Sequence, residues 1–249
     1  MNTYTSSFYR EQREGSRRSA SIVLPLIFEV IEPKTVVDVG CGVGTWLGVA
    51  KSMGKEVLGL DGEYVDREML EIPKENFSPT DVSKPITHPR RFDLALCLEV
   101  GEHIPTSSSE TLVKSLISLA DAVAFSAAIP MQGGNNHINE QWQSYWVELF
   151  SRHGYMPVDF IRSQVWSDER VEDFYAQNLI VFCSKALIES NPTLKASFER
   201  SPRNMFNLIH PKRYLYNMDI ANISTKKIIK ALPGKIMRGI AYRFRRRGD

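Results

Sequence analysis

From Thr35 to about Ser184 the chain alternates short runs of β-forming apolar residues with stretches whose apolar positions recur at helical spacing. Val36 to Val39 predicts a buried strand, Trp46 to Met53 a helix, and Val57 to Leu60 a second strand. A weaker strand is predicted around Phe77 to Val82. Phe92 to Leu98 is a strong one, continuous in apolar residues after Asp93 as buried parallel strands are. Ser108 to Ala120 reads as a helix, with N-cap candidates in Ser107 to Ser109 and one face shared by Leu112, Leu116 and Leu119. A fifth strand, Ala122 to Ala128, is ended by Pro130 and leads into the polar, Gly-rich segment Gln132 to Asn136. Glu140 to His153 is expected to be an amphipathic helix with Trp142, Tyr145, Trp146 and Phe150 as its apolar stripe and Gly154 as its C-cap. Pro157 to Phe160 and Asn178 to Cys183 complete the pattern as two final strands. The alternation predicts an α/β fold, a seven-stranded, mostly parallel sheet with helices on both faces and helical extensions at each end. Ligands of such sheets sit beyond the strand C-termini, so the chemistry is sought just after each strand.

The pattern changes at Asn191-Pro192, after which Pro202, Pro211 and Pro233 divide a segment without strand patterning. The expected division is therefore a domain over residues 1–190 and a basic helical extension over 191–249. With 43% hydrophobic and 24% charged residues, the 249-residue chain is globular rather than disordered or rod-like. No apolar run approaches the roughly 18 residues of a spanning helix, which excludes an integral membrane protein. Residues 1–20 mix four arginines with Glu11 and Glu14 and lack a small-residue cleavage site, so they read as an amphipathic helix rather than a secretory leader. Cys41, Cys97 and Cys183 are far apart and not in metal-ligand spacing, as in a reduced, cytoplasmic protein.

The formal charge of +2 is unevenly spread: from Ser224 onward nine basic residues face Asp249 alone, a net +8, which leaves −6 for residues 1–223. An acidic body argues against gripping nucleic acid and assigns any polyanion contact to the tail. Over Lys235 to Arg247 a helix would line up Ile236, Ile240 and Phe244 beside the cations. That stripe suits an anionic membrane surface, with the protein peripheral to it, or equally the acidic body itself.

The first strand runs into Val37-Asp38-Val39-Gly40-Cys41-Gly42-Val43-Gly44-Thr45. Glycines at 40, 42 and 44 permit a tight turn that brings a ligand against the backbone before a helix opens. A dinucleotide fingerprint would place Gly or Ala where Thr45 stands, so nicotinamide and flavin cofactors lose ground. Asp61 ends the second strand, 21 positions after Gly40, where a carboxylate can accept ribose hydroxyls. Asp81 follows the third strand. This ordered set, Asp38, the Gly40, Gly42, Gly44 turn, Asp61, Asp81 and then Phe92-Asp93-Leu94-Ala95-Leu96-Cys97, closely resembles the class I S-adenosylmethionine-dependent methyltransferases over roughly residues 20–185. The resemblance implies a Rossmann-like methyltransferase fold in which the Gly turn meets the methionine end of S-adenosylmethionine, Asp61 the ribose and Asp81 the adenine amine. It also places Asp38 and Glu99 among the cofactor-binding residues.

After the fourth strand comes Glu99-Val100-Gly101-Glu102-His103, and after the fifth His137 in Asn135-Asn136-His137-Ile138-Asn139-Glu140. On a helical turn Glu99, Glu102 and His103 would share one face at the mouth of the cofactor site. Two carboxylates and two imidazoles, Glu99, Glu102, His103 and His137, make a mixed O/N set for Mg, Mn or Zn. The Glu-x-x-Glu-His pattern with a later His resembles the metal sites of small-RNA 2′-O-methyltransferases and ubiquinone-pathway O-methyltransferases. Metal-free relatives carry a similar element, so a histidine base remains the other chemistry, and His103 and His137 are the catalytic pair under either. The phrase His137 to Trp142 is similar to bacterial methyltransferases of surface-glycan and secondary-metabolite pathways, and Gln141 and Gln143 become candidates for flanking an acceptor pocket. The expected function is methyl transfer from S-adenosylmethionine to a hydroxyl of a small molecule or saccharide. A non-catalytic cofactor-binding interaction protein and an RNA 2′-O-methyltransferase are the alternatives.

Overall fold

A computed structural model describes residues 6–219, with side chains described from Glu14 onward. It opens with helix α1 (Ser6–Ile31), and Val23, Leu24, Ile27 and Val30 form the buried stripe that packs on the sheet despite Pro25. Then follow β1 (Thr35–Val39), α2 (Thr45–Ser52), β2 (Glu56–Asp61), β3 (Phe77–Pro79), β4 (Leu94–Leu98), α3 (Ser109–Leu119) and β5 (Ala122–Ser126). The chain continues through α4 (Gln143–Arg152), β6 (Tyr155–Val158), α5 (Arg162–Val165), α6 (Asp173–Asn178), β7 (Ile180–Ser184), α7 (Lys185–Ser190) and α8 (Pro192–Arg200).

The seven strands form one sheet in the order β3-β2-β1-β4-β5-β7-β6. Its first five strands pair in parallel, and β7 runs antiparallel to both β5 and β6. Strand periodicity divides the core in two. Val36, Leu94, Leu96, Ala124 and Val181 point to the face covered by α1 and α2, while Val37, Val39, Ala95, Cys97, Phe125 and Phe182 point to the face covered by α3 and α4. Strand order reverses between β1 and β4, which sets a crevice beyond their C-terminal ends.

Helix α4 begins at Gln143, three residues later than the pattern predicts. The cause is local: the Gln141 amide donates to the Ala128 carbonyl and the Glu140 carboxylate folds back onto Met131 and Gly133, so residues 140 and 141 belong to the β5 loop. Trp142 therefore leaves the expected apolar stripe and is 38% exposed, whereas Trp146 and Phe150 are buried.

The expected domain limit at residue 190 also moves. The first compact unit runs to His210 and a second begins at Pro211. Leu194 of α8 is fully buried in the core, Asn191 caps that helix through the Leu194 amide and donates to the Val30 carbonyl, and the Arg162 guanidinium holds the Phe206 carbonyl. The second unit contains α9 (Pro211–Met218), and the basic helix expected over Lys235 to Arg247 lies outside the described residues. Among the described residues no helix is long and apolar enough to cross a membrane.

Candidate active site

Strand β1 delivers the chain into a turn in which Gly40 and Gly42 take φ of 82° and 55°. At Gly40 glycine is obligatory: a Cβ would also fall 2.3 Å from Val100 Cγ2, so the turn lies directly against the segment that follows β4. At Gly42 a Cβ would meet nothing within 4 Å among the described residues, so this backbone is open on that side. Gly44 precedes α2 in the left-handed conformation and leaves its first amides without a side-chain cap. Asp61, at the end of β2, ties the turn together. Its Oδ2 accepts from the Gly42 amide at 2.6 Å, and its Oδ1 accepts from the Gly62 amide at 2.6 Å and the Tyr64 hydroxyl at 2.5 Å.

Asp38 is buried two residues before Gly40, and its pKa is pushed up to about 7, chiefly by burial and further by the charge of Asp61. The two neighbouring acids fit a ligand that bears a diol and positive charge, and the open backbone with its uncapped helix amides fits an anionic group of that ligand. Asp81 is placed differently from the other acids: it is exposed, and its carboxylate closes a turn by accepting from the Ser83 hydroxyl and amide and pairing with Lys84. Those contacts, the Ser83 hydroxyl first, hold it below the usual carboxylate range.

After β4, Glu99 adopts φ 55°, a left-handed conformation uncommon outside glycine. Its carboxylate accepts from Gln132 Nε2 at 3.0 Å and Asn178 Nδ2 at 3.2 Å. Gln132 and Asn178 are buried and joined to Gln177, whose Oε1 accepts from the His210 amide, so the carboxylate is anchored to an amide network. Glu102 is fully buried, and among the described residues neither carboxylate oxygen makes a hydrogen bond of good geometry, although the Glu99 carboxylate lies close by. Burial and the nearby Glu99 charge drive its pKa well above the usual range. One oxygen of Glu102 and one ring nitrogen each of His103 and His137 lie within 4.8 Å of one another. This is the one such cluster among the described residues, and Glu99, expected in the set, is not part of it. Burial lowers the His103 pKa, with His137 acting in the same sense and a hydrogen bond to the Asn136 backbone opposing.

The cluster is held in register by Asn139, which donates to the Gly101 carbonyl and the Ser109 hydroxyl while its own amide and that of Ile138 donate to the Glu102 carbonyl. The β4 and β5 loops are thereby one unit. Gln132, Asn139, Asn178 and Glu140 were not singled out from the sequence; polar residues within the Gln132 to Glu140 loop were the signal for three of them. Gln143 is not at the mouth: it is buried and donates to the Leu208 carbonyl.

A family model described as a methyltransferase domain matches residues 9–166. The chain belongs to this methyltransferase family. Its fold is that of the class I S-adenosylmethionine-dependent enzymes. Solved structures that resemble the methyltransferase include magnesium protoporphyrin IX methyltransferase from Synechocystis PCC 6803 with bound SAM, at 18% identity and TM-score 0.52 over 74% of this chain and 87% of that one. The sugar N-methyltransferase of Streptoalloteichus sp ATCC 53650 aligns at 12% identity and TM-score 0.55, over 74% and 96% of the two chains. Among curated relatives, the ubiquinone biosynthesis O-methyltransferase of Proteus mirabilis is 34% identical over 98 residues, 34% of this chain and 37% of that protein. That of Pseudoalteromonas translucida is 31% identical over 117 residues, 39% and 47% of the two. The methyltransferase thus matches less than half the length of either relative.

Proposed function

We propose that this methyltransferase transfers the methyl group of S-adenosylmethionine to a hydroxyl oxygen of a small molecule, a saccharide included, at a site formed by Glu102, His103 and His137. The observation that carries this reading is the convergence of those three side chains on a segment that abuts the Gly40 turn. Relatives that share about a third of their residues over the matched part are named O-methyltransferases, which supports oxygen as the acceptor atom.

Asp61 would hold the ribose, the Gly40 to Gly44 turn the methionine end, and Asp38 the positive side of the cofactor. The cofactor supplies an activated methyl group, so the protein's work is to align the acceptor oxygen and manage its proton. Glu102 has two buried oxygens that make no hydrogen bond of good geometry among the described residues, beside two imidazoles, which suits a divalent cation held by Glu102, His103 and His137. Such an ion supplies Lewis acidity that lowers the pKa of the acceptor hydroxyl. A second reading is metal-free, with His103 as base, and the lowered pKa of His103 keeps the imidazole neutral for either role.

Chelation separates them. Turnover lost to a chelator and restored by Mg, Mn or Zn establishes the metal; turnover indifferent to chelation establishes the base. Stoichiometric cofactor binding with no turnover on vicinal-diol, phenol and sugar acceptors would overturn both.

A further inference from the structure

The loop between β5 and α4 is unusual in its backbone. Met131, Gly133 and Asn136 have φ of 73°, 74° and 56°, and two of these three are not glycine. A non-glycine residue in the left-handed region is strained, so other contacts must hold this path. They converge on one carboxylate. Glu140 Oε2 accepts from the Met131 amide at 2.8 Å, and Oε1 accepts from the Gly133 amide at 2.8 Å and meets His137 Nδ1 at 3.1 Å. The imidazole is closed in from the other side by Gly134, where a Cβ would lie 2.2 Å from His137 Nε2.

An ionised carboxylate only accepts hydrogen bonds, and two backbone amides already donate to this one. Nδ1 must therefore carry the proton, and the lone pair of the neutral ring falls on Nε2. We propose that Glu140 is a positioning residue of this methyltransferase: it holds the strained loop closed and locks His137 in the Nδ1–H tautomer, so that Nε2 is the nitrogen offered to Glu102 and His103. The role rests on the reading of His137 as part of the transfer site, and the sequence alone did not point to it, because Glu140 read as the first residue of a helix.

The test is nuclear magnetic resonance of ¹⁵N-histidine-labelled full-length protein at pH 8, where a free imidazole is neutral. The chain has five histidines, and His137→Asn assigns the signal. In the native protein His137 is expected to show the Nδ1–H pattern. In Glu140→Gln the amide presents a donor as well as an acceptor, so the pattern is expected to shift to Nε2–H or to a mixture, with kcat down at least tenfold and S-adenosylhomocysteine affinity within twofold. Glu140→Asp, which keeps the charge, is expected to recover part of the native tautomer population. An unchanged His137 signal in Glu140→Gln, or an Nε2–H pattern in the native protein, overturns the proposal whatever the activity. If the tautomer shifts as expected but His137→Asn turns over normally, it is the transfer-site reading that fails and the positioning of the ring that stands.

Discussion

The imidazole rings of His103 and His137 meet edge to face, their centroids 4.9 Å apart and their planes at 86°. One ring follows β4 and the other follows β5, so the contact exists only because those strands are parallel neighbours whose loops Asn139 binds together. Replacing either histidine by alanine is expected to lower kcat by about 10²- to 10⁴-fold, the range of a lost acid–base group. Affinity for S-adenosylhomocysteine, measured by calorimetry, is expected to stay within twofold. A parallel loss of cofactor affinity would place the pair in the wrong half of the site.

Asp61 and Tyr64 make an unusual pair because the carboxylate is nearly full. Of about four acceptor positions, Gly42, Gly62 and Tyr64 take three, and two ribose hydroxyls need two. The amides are fixed by the turn, so the exposed Tyr64 side chain is the partner that must yield. Tyr64→Phe is expected to tighten S-adenosylhomocysteine binding severalfold, whereas Asp61→Ala weakens it by roughly tenfold to a hundredfold. Weaker binding by Tyr64→Phe would show that the hydroxyl assists the ligand instead.

Much of this was legible in the residue pattern, for reasons that are local. Val36 to Val39, Val57 to Leu60 and Leu94 to Leu98 are mostly apolar runs too short for helices, and the Gly40 turn and Asp61 fall at the ends of the first two. What was not legible depended on contacts across the chain. The apolar spacing of Trp142, Tyr145, Trp146 and Phe150 is helical, yet hydrogen bonds from residues 140 and 141 back to the β5 loop delay the helix. Glu99 has a metal ligand's spacing from Glu102 and His103, but Gln132 and Asn178, one from a distant loop and one from α6, claim its carboxylate. No spacing rule within Glu99 to His103 carries that information.

Gly40 and Gly42 separate folding from binding. Gly40→Ala adds left-handed strain and a collision with Val100, and is expected to destabilise by more than about 2 kcal/mol, a fall in Tm of at least about 4 °C for a chain of this size. Gly42→Ala adds strain alone, since its Cβ meets no atom of the described residues within 4 Å. It is expected to fold with a Tm lower by only about 2–4 °C and yet bind S-adenosylhomocysteine poorly, because the methyl occupies the open face of the turn. Thermal melts and calorimetry on both variants check the contrast, and normal binding by Gly42→Ala would move the cofactor off this backbone.

Asp38 makes stability depend on pH in a sense opposite to most carboxylates. Its folded-state pKa is about 7, against 3.8 for the ordinary side chain, with burial as the main cause and Asp61 second. The fold therefore prefers the protonated acid. The stability this preference contributes is complete below about pH 4 and is lost as pH rises through about 7, where the charge must be kept in the interior. Three units correspond to about 4 kcal/mol at most. Glu102 is raised in the same sense, so the slope of the native protein alone does not isolate Asp38. Asp38→Asn removes the titration while keeping the size of the side chain. Urea unfolding of both proteins between pH 4.5 and 8 is expected to show the native protein losing more stability across that window than the variant. Parallel curves would mean that Asp38 is charged throughout, and its burial would then have to be matched by a partner that the fold does not otherwise reveal.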